Sequence, residues 1–305
     1  MYLYLPVALT SINILLPVGL GLIVGVLSGL FGVGGGFLMT PLLIMFGIPS
    51  TVAAATDSNQ IVAASTSGTY AHWKVGNVDF KMGLYLLVGG FVGGLLGVQA
   101  IKVLRAMGNA DFVIKITYVL MLGIVGTYMF LESLSSIRKK EKTEVKEEKE
   151  SKVGAFLKSL PFQTHFEKSG VTHSVLVPIF LGAFVGVLAA IMGVGGGFLM
   201  VPIMFYVLRM PMHVIVGTSL FQILFTCIEV TFLQSYTNHT VDFTLAVLLL
   251  LGSSIGAQVG AVFGRKLKGE QLKILLAIIV LVVTVKIIFE LTLTPSLLLS
   301  QAGGH

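Results

Sequence analysis

Charge is what this chain has least of. Only 11% of its 305 residues are Asp, Glu, Lys or Arg, against roughly 25% in a soluble domain. A water-facing surface cannot be built from so few. Cysteine is limited to Cys227, which excludes an internal disulfide and a cysteine-built zinc site; within an apolar stretch it reads as a buried structural residue. No glycine loop ends in Lys-Ser or Lys-Thr, so direct ATP drive is excluded. No nucleophile, acid–base pair or metal cluster converges in the sequence, so the chain does not read as an enzyme, and no cofactor is expected. A secretory leader would be one apolar run ahead of a soluble body. Here the apolar runs never stop.

Those runs are what is there. Met82–Ala100, Phe112–Leu131, Val175–Met192, Phe243–Phe263 and Leu272–Phe289 each carry no more than two charged residues. About 20 apolar residues span the hydrocarbon layer of a bilayer, so the expected class is an all-α polytopic membrane protein. The net charge of +6 comes from Lys and Arg in short loops between apolar runs, as the positive-inside rule expects. Nucleic acid is therefore not an expected partner; the lipid bilayer is.

The chain repeats itself. Gly32-Val33-Gly34-Gly35-Gly36-Phe37-Leu38-Met39 recurs letter for letter as Gly193-Val194-Gly195-Gly196-Gly197-Phe198-Leu199-Met200. Pro41 returns as Pro202, Pro49 as Pro211, Thr56 as Thr218 and Gln60 as Gln222, with one residue of slippage. Val78-Asp79-Phe80 returns as Val241-Asp242-Phe243, and Gly97-Val98-Gln99 as Gly256-Ala257-Gln258. Ordered matches of this kind indicate an internal duplication. The expected division is a first transmembrane repeat over 8–134, a charged linker over 135–170 and a second repeat over 171–293. The linker alternates lysine with glutamate and reads as solvated, with some helix from its Glu/Lys spacing.

Each copy divides into five hydrophobic segments, near 8–31, 35–47, 50–73, 82–104 and 111–134, then 172–192, 196–208, 212–236, 243–264 and 271–293. The second of each set is too short to cross a core of roughly 30 Å as a straight helix, and reads as a Gly-led half-helix. The count is thus eight to ten helices. With all ten counted, the linker shares a side with Lys74, Lys81, Arg209, Arg265, Lys266 and Lys268, and only Lys102 and Arg105 lie opposite. That bias puts the linker in the cytoplasm and both termini outside. Five crossings per copy force the second copy to be inverted relative to the first, a plan that recurs among secondary transporters.

Three consecutive glycines ahead of a short helix leave backbone N–H groups bare. A helix start carries unsatisfied donors and partial positive charge, and an anion fits there with no basic side chain. Gly34, Gly35 and Gly36, with Gly195, Gly196 and Gly197, are therefore candidate binding residues; tight helix packing is the competing reading. A dinucleotide loop is rejected because the flanks are membrane segments and not a βαβ unit. Thr56, Asn59 and Gln60 share a helix face, and Thr218 and Gln222 repeat the pattern, with Thr226 and Glu229 continuing it. Gln99 and Gln258 form a third matched pair. Such polar residues line a pathway or act as interhelical glue. Asp57 and Glu229 are the acids deepest in the predicted helices. Neither is matched by an acid in the other copy: Asp57 aligns with Ser219, and Glu229 with Ser67. Either is a candidate to carry a proton across. Tyr70, His72 and Trp73 read as an anchor at the water boundary, and Lys286 and Glu290 as a helix-surface pair.

The two glycine strings, the Thr-and-Gln segments and the charged linker together resemble the sulfite exporter TauE/SafE family over about residues 15 to 293. The resemblance implies a permease of the bacterial cytoplasmic membrane for small sulfur-containing anions such as sulfite, sulfoacetate and related sulfonates. The second copy keeps the expected Gly217-Thr218-Ser219-Leu220, and the first departs from it with Thr56-Asp57-Ser58-Asn59. The expected function is export of such an anion by a secondary carrier, with proton coupling an option. The alternatives are an anion channel and an uptake permease for another small organic anion. A homo-oligomer is compatible with the sequence.

Overall fold

A computed structural model describes residues 2–31, 36–138, 161–264 and 269–292. The chain opens with a hairpin of β1 (Tyr2–Leu5) and β2 (Thr10–Asn13), antiparallel with Tyr2 opposite Asn13. Helices α1 (Leu15–Phe31), α2 (Gly36–Met45), α3 (Ser50–Lys74), α4 (Phe80–Ala106) and α5 (Ala110–Arg138) follow. A second hairpin, β3 (Gln163–Phe166) and β4 (Val171–Ser174), leads into α6 (Leu176–Met192), α7 (Gly197–Tyr206), α8 (Met212–Leu233), α9 (Phe243–Gly264) and α10 (Gly269–Thr292). The order of hairpin, 17-residue helix, 10-residue helix and three longer helices thus occurs twice. Four of the helical stretches, starting at Phe80, Ala110, His213 and Phe243, are long and apolar enough to cross a membrane.

Two boundaries differ from the sequence reading. The segments expected to begin at residues 8 and 172 begin as helices only at Leu15 and Leu176, because a hairpin precedes each. The linker expected over 135–170 is also narrower. Helix α5 runs on to Arg138 and β3 starts at Gln163, with Phe166 fully buried against Tyr85. Positions 139–160 lie outside the described residues.

Local chemistry explains where helices start. Asp79 and Asp242 cap α4 and α9, their carboxylates accepting from Met82 N at 3.0 Å and Leu245 N at 3.1 Å. Each satisfies one of the four donors that a helix start leaves open. Pro49 and Pro211 hold the chain extended just before α3 and α8. The two 10-residue helices reach only about 15 Å, half the hydrocarbon thickness, and each has a proline as its sixth residue, Pro41 and Pro202. Proline removes the donor to the carbonyl four residues back, so each short helix lacks one internal bond, and α2 closes at Gly47, whose φ is +86°.

Helices α3 and α8 form the centre and run antiparallel. Gly217 faces His72, Gly68 faces Leu220, and Ile61 clusters with Ile223 and Cys227. Around them six helices take their main partners from the opposite half, α1 on α9, α4 on α6 and α5 on α10, while the short α2 and α7 lie mainly against α3 and α8 of their own halves. Absent side chains make this possible. A Cβ at Gly89 would lie 1.9 Å from Ile179 O, and one at Gly182 would lie 2.1 Å from Leu86 O. Without a water-driven force between helices in lipid, such close packing is what holds them. Gly89→Ala is accordingly expected to lose about 1–3 kcal/mol through overpacking. Gly19→Ala, with nothing within 4 Å of the added carbon, is the control and is expected to be neutral. Thermal unfolding in one detergent checks the pair, and an equal effect would refute the packing account.

Charged side chains tie the two ends of α4 to different parts of the molecule. Lys81 donates to His165 O at 3.1 Å, and the His173 ring donates to Leu208 O at 2.9 Å, so the turns after α3 and α7 gather with the second hairpin. Arg105, at the far end of the 27-residue α4, donates instead to Asn238 O at the end of α8.

One irregularity has a sequence cause. Pro49 and Pro211, like Gln60 and Gln222, are 162 positions apart, while Val78 and Val241 are 163 apart. The extra residue falls between Gln222 and Val241, the stretch in which α8 gives way to a π-helical turn over Gln234–Asn238. A single insertion in an α-helix takes that form. The turn is fastened by Gln234 to Ala190 O, Asn238 to Gln234 Oε1, and Asn238 to Val98 O.

Candidate functional site

The break between α6 and α7 is the best-defined feature at the centre. Gly193, Gly195 and Gly196 all have positive φ, between 68° and 77°, a backbone that favours glycine. Space forbids a side chain as well: a Cβ at Gly193 would lie 2.0 Å from Ala54 O, and one at Gly195 would lie 2.6 Å from Cys227 Sγ. The carbonyls that end α6 are taken up by side chains of the first half. Tyr118 donates its hydroxyl to Met192 O, and Ser58 donates to Gly193 O at 3.3 Å. On the other side of the break, Gly196 O accepts from Leu199 N and Met200 N. The amides of Gly197 and Phe198 remain as the donors that a helix start cannot satisfy internally.

The first half brings its short helix to the same place. Phe37 stacks on Phe198 with ring centroids 4.7 Å apart and planes 15° from parallel, so α2 and α7 meet at their starts. Gly36 is buried there, but Gly34 and Gly35 lie outside the described residues. Asp57 belongs to this corner: its Oδ2 accepts from Thr40 Oγ1 at 2.8 Å, and a Cβ on Gly36 would lie 3.3 Å from the same oxygen. Asp57 is fully buried, and its Oδ1 has no hydrogen-bond partner among the described residues.

The remaining candidates divide. Gln60 and Gln222 are buried, each with an unpartnered Oε1, on the facing helices α3 and α8. Asn59 is half-buried on α3. Thr56 and Thr218 are spoken for: Thr56 Oγ1 accepts from Asp242 N at 3.1 Å, and Thr218 Oγ1 from Asp79 N at 3.0 Å. They latch each central helix to the capped start of a helix in the opposite half. Ser219 is buried and turns its hydroxyl back to Val216 O at 3.1 Å. Gln99 and Gln258, expected to line a pathway, are exposed on the outer faces of α4 and α9, and the centre is built without them. Being matched told only that the two share an environment.

Asp79 and Asp242 were read as repeat markers, yet they tie the molecule together. Asp79 Oδ2 accepts from Ser169 Oγ at 2.5 Å and Ser169 N at 3.2 Å in the second hairpin, and Asp242 Oδ2 accepts from Val7 N at 3.1 Å in the first. An aspartate just ahead of an apolar run is an N-cap signal and marked the positions. Their long-range partners left no trace in the sequence.

Half-helices meeting at their starts and a buried polar centre are features of a transport pathway. The sequence profile of the family described as sulfite exporter TauE/SafE matches residues 18–287. The chain belongs to the TauE/SafE family. Among its relatives, the "Probable membrane transporter protein YunE" of Bacillus subtilis is 26% identical, covering 89% of this chain and 96% of that protein. YjnA of the same organism, named likewise, is 27% identical over 91% of this chain and the whole of the relative. The "Sulfite exporter TauE/SafE family protein 1" of Arabidopsis thaliana is 34% identical over 33% of this chain and 23% of its own length. No solved structure matches.

This TauE/SafE protein is therefore a multi-pass membrane transporter. A polar stripe runs along its α8, through Thr218, Gln222, Thr226 and Glu229, against glycines of α4. Gln222 Nε2 donates to Thr226 Oγ1 at 2.9 Å. A Cβ at Gly90 would lie 2.9 Å from Thr226 Oγ1, and one at Gly94 would lie 2.8 Å from Glu229 Oε2. Bare α4 backbone thus makes the room in which Thr218, Gln222 and Thr226 are buried and Glu229 is half-buried. Among the described residues no group of His, Cys, Asp or Glu converges to hold a metal.

Proposed function

We propose that this protein is a secondary transporter that exports a small sulfur-containing anion, sulfite or an organosulfonate, across the bacterial cytoplasmic membrane. The observation that carries the reading is the meeting of α2 and α7 at their starts beside the α3–α8 crossing, marked by the Phe37–Phe198 stack. Two positive helix ends facing one buried centre favour a negative guest with no basic side chain to hold it too tightly. Gln60 and Gln222 are buried on the facing central helices, and an anion would accept from their amide N–H groups, not from the Oε1 atoms that stand without partners. The two halves are, in this reading, an inverted duplication. The antiparallel run of α3 and α8 and the exchange of partners between halves support that. Asp57, a buried carboxyl with no basic partner among its hydrogen bonds, is the group assigned to proton coupling.

The test is flux of radiolabelled sulfite and sulfoacetate in proteoliposomes, with and without a pH gradient. Saturable flux of at least one anion is expected, and a pH gradient is expected to accelerate it in the wild type but not in Asp57→Asn. Absence of anion flux would overturn the function. Flux that never saturates would favour a channel, and unchanged coupling in Asp57→Asn would remove the proton role.

A further inference from the structure

The glycines of α4 fall on two faces. Carbons added at Gly89 and Gly93 would strike the backbone of α6, 1.9 Å from Ile179 O and 2.0 Å from Ala183 O. Carbons added at Gly90 and Gly94 would strike polar side chains of α8 instead: Thr226 Oγ1 at 2.9 Å and Gln222 Nε2 at 3.0 Å, then Glu229 Oε2 at 2.8 Å. The first face packs helices and has a copy in the second half. On the 163-residue spacing of the capping Asp79 and Asp242, Gly89, Gly93 and Gly97 answer to Gly252, Gly256 and Gly260, which meet the backbone of α1 in the same way. The second face has no copy. Gly90 and Gly94 answer to Ser253 and Ala257, while Thr226 and Glu229, on the 162-residue spacing of Gln60 and Gln222, answer to Ala64 and Ser67. Room on one helix and polar groups on the other thus occur together at the α4–α8 seam and not at its counterpart between α9 and α3.

We infer that Glu229 is a proton-binding site, its carboxyl seated on the bare backbone of α4 at Gly94, at the edge where the seam meets the bilayer. Gly94 lies at the middle of the 27-residue α4, and Glu229 lies within the apolar span His213–Asn238, so the carboxyl is at membrane depth. Its Oε2 is buried without a partner among the described residues. Beside it on α8, Phe225, Ile228 and Phe232 are exposed apolar side chains. No cation stands near. Helix α6 carries no ionisable residue. On α4 the next charges, Lys102 and Arg105, lie roughly 12 and 16 Å further along the axis, and Arg105 donates to Asn238 O. Towards α3 the titratable groups are Cys227 and Asp57, and neither is a cation. A bare carboxylate is costly in such a place, and binding a proton removes that cost. A metal ion would need several ligands around it, and no such group converges among the described residues. From Glu229 the polar track continues towards the start of α8 through Thr226 and Gln222, hydrogen-bonded to each other at 2.9 Å. The site is separate from Asp57, which faces Thr40 of α2, and it requires no anion.

Dicyclohexylcarbodiimide tests this, because it reaches carboxyls from the lipid and condenses with the protonated form. The full-length protein in lipid nanodiscs is labelled and the adduct located by peptide mapping. An adduct on Glu229 is expected, formed at least about tenfold faster near pH 6 than near pH 9, as the proton is lost. Glu229→Gln is expected to give none at that position. Gly94→Ala, whose added carbon displaces the carboxyl outward towards the reagent, is expected to label about threefold faster or more. No adduct on Glu229 in the folded wild type, or the same rate at both pH values, would overturn the site. An unchanged rate in Gly94→Ala would overturn the seat. Should Gly94→Ala not fold, the wild-type pH profile decides. The labelling needs no sulfite, so a protein that carries no anion would sink the transport reading and leave this result standing.

Discussion

Gly193→Ala is expected to abolish anion flux and to lower stability by about 2–5 kcal/mol. Two effects add. The residue sits at φ +73°, where a side chain costs about 1–2 kcal/mol. The new carbon would also lie 2.0 Å from Ala54 O and 2.5 Å from Ala54 C. The clash is with helix backbone and not with a side chain that can swing away, so α3 and the break must separate, at a further cost of about 1–3 kcal/mol. Separation moves Ser58 off Gly193 O and displaces the start of α7, which is why transport is lost with stability. Gly47→Ala isolates the first effect: its φ is +86°, yet nothing lies within 4 Å of the added carbon. It is expected to lose about 1–2 kcal/mol and to keep its flux. Thermal unfolding and labelled-sulfite flux on both proteins check the comparison. Equal losses would show that crowding against α3 plays no part.

Asp79→Ala is expected to destabilise by about 2–4 kcal/mol, and Asp242→Ala by less. Removing the Asp79 carboxylate loses the cap on α4, about 0.5–2 kcal/mol. It also strands the N–H and hydroxyl of buried Ser169, and groups left without partners cost about 1–3 kcal/mol. Asp242 caps α9 in the same way but holds only one group of the first hairpin, the half-buried Val7 N–H, so less is stranded. Thr218→Val removes the acceptor for Asp79 N and belongs to the same network. Combined with Asp79→Ala it is therefore expected to fall short of additivity. Urea or thermal melts of the single and double variants decide this, and a larger loss for Asp242→Ala would reverse the account.

Much of the architecture could be read from local features. The glycine strings and the prolines that follow them located both half-helices, because backbone freedom and a missing donor act where they stand. The long apolar runs located α4, α5, α6, α9 and α10. The hairpins were hidden because Tyr2–Leu5 and Val171–Ser174 are apolar or β-branched enough to merge with the helices that follow. The latches were hidden for a different reason. Thr56 and Thr218 were visible as polar residues in helices, but their partners lie 186 and 139 positions away, and no period or spacing encodes such a pairing. Thr40, the hydrogen-bond donor to Asp57, looked like an ordinary residue of a short apolar helix. Gln99 and Gln258 were visible as a matched pair, but repetition within a duplicated chain reports equivalence, not the exposed positions the two take up.

The exchange of partners between halves has a consequence for how the protein is made. During synthesis α1, α3, α4 and α5 emerge before their main partners exist. Helix α4 enters the bilayer with the bare backbone of Gly89 and Gly93 facing lipid, since the α6 residues that cover it are translated some 90 positions later. Asp79 likewise waits for Ser169, and Thr56 for Asp242. The nascent first half is thus an unfinished surface, and the ribosome must complete the chain before its central helices can lock. The charged stretch around 139–160 spans that interval, separating the first half from the partner that completes it.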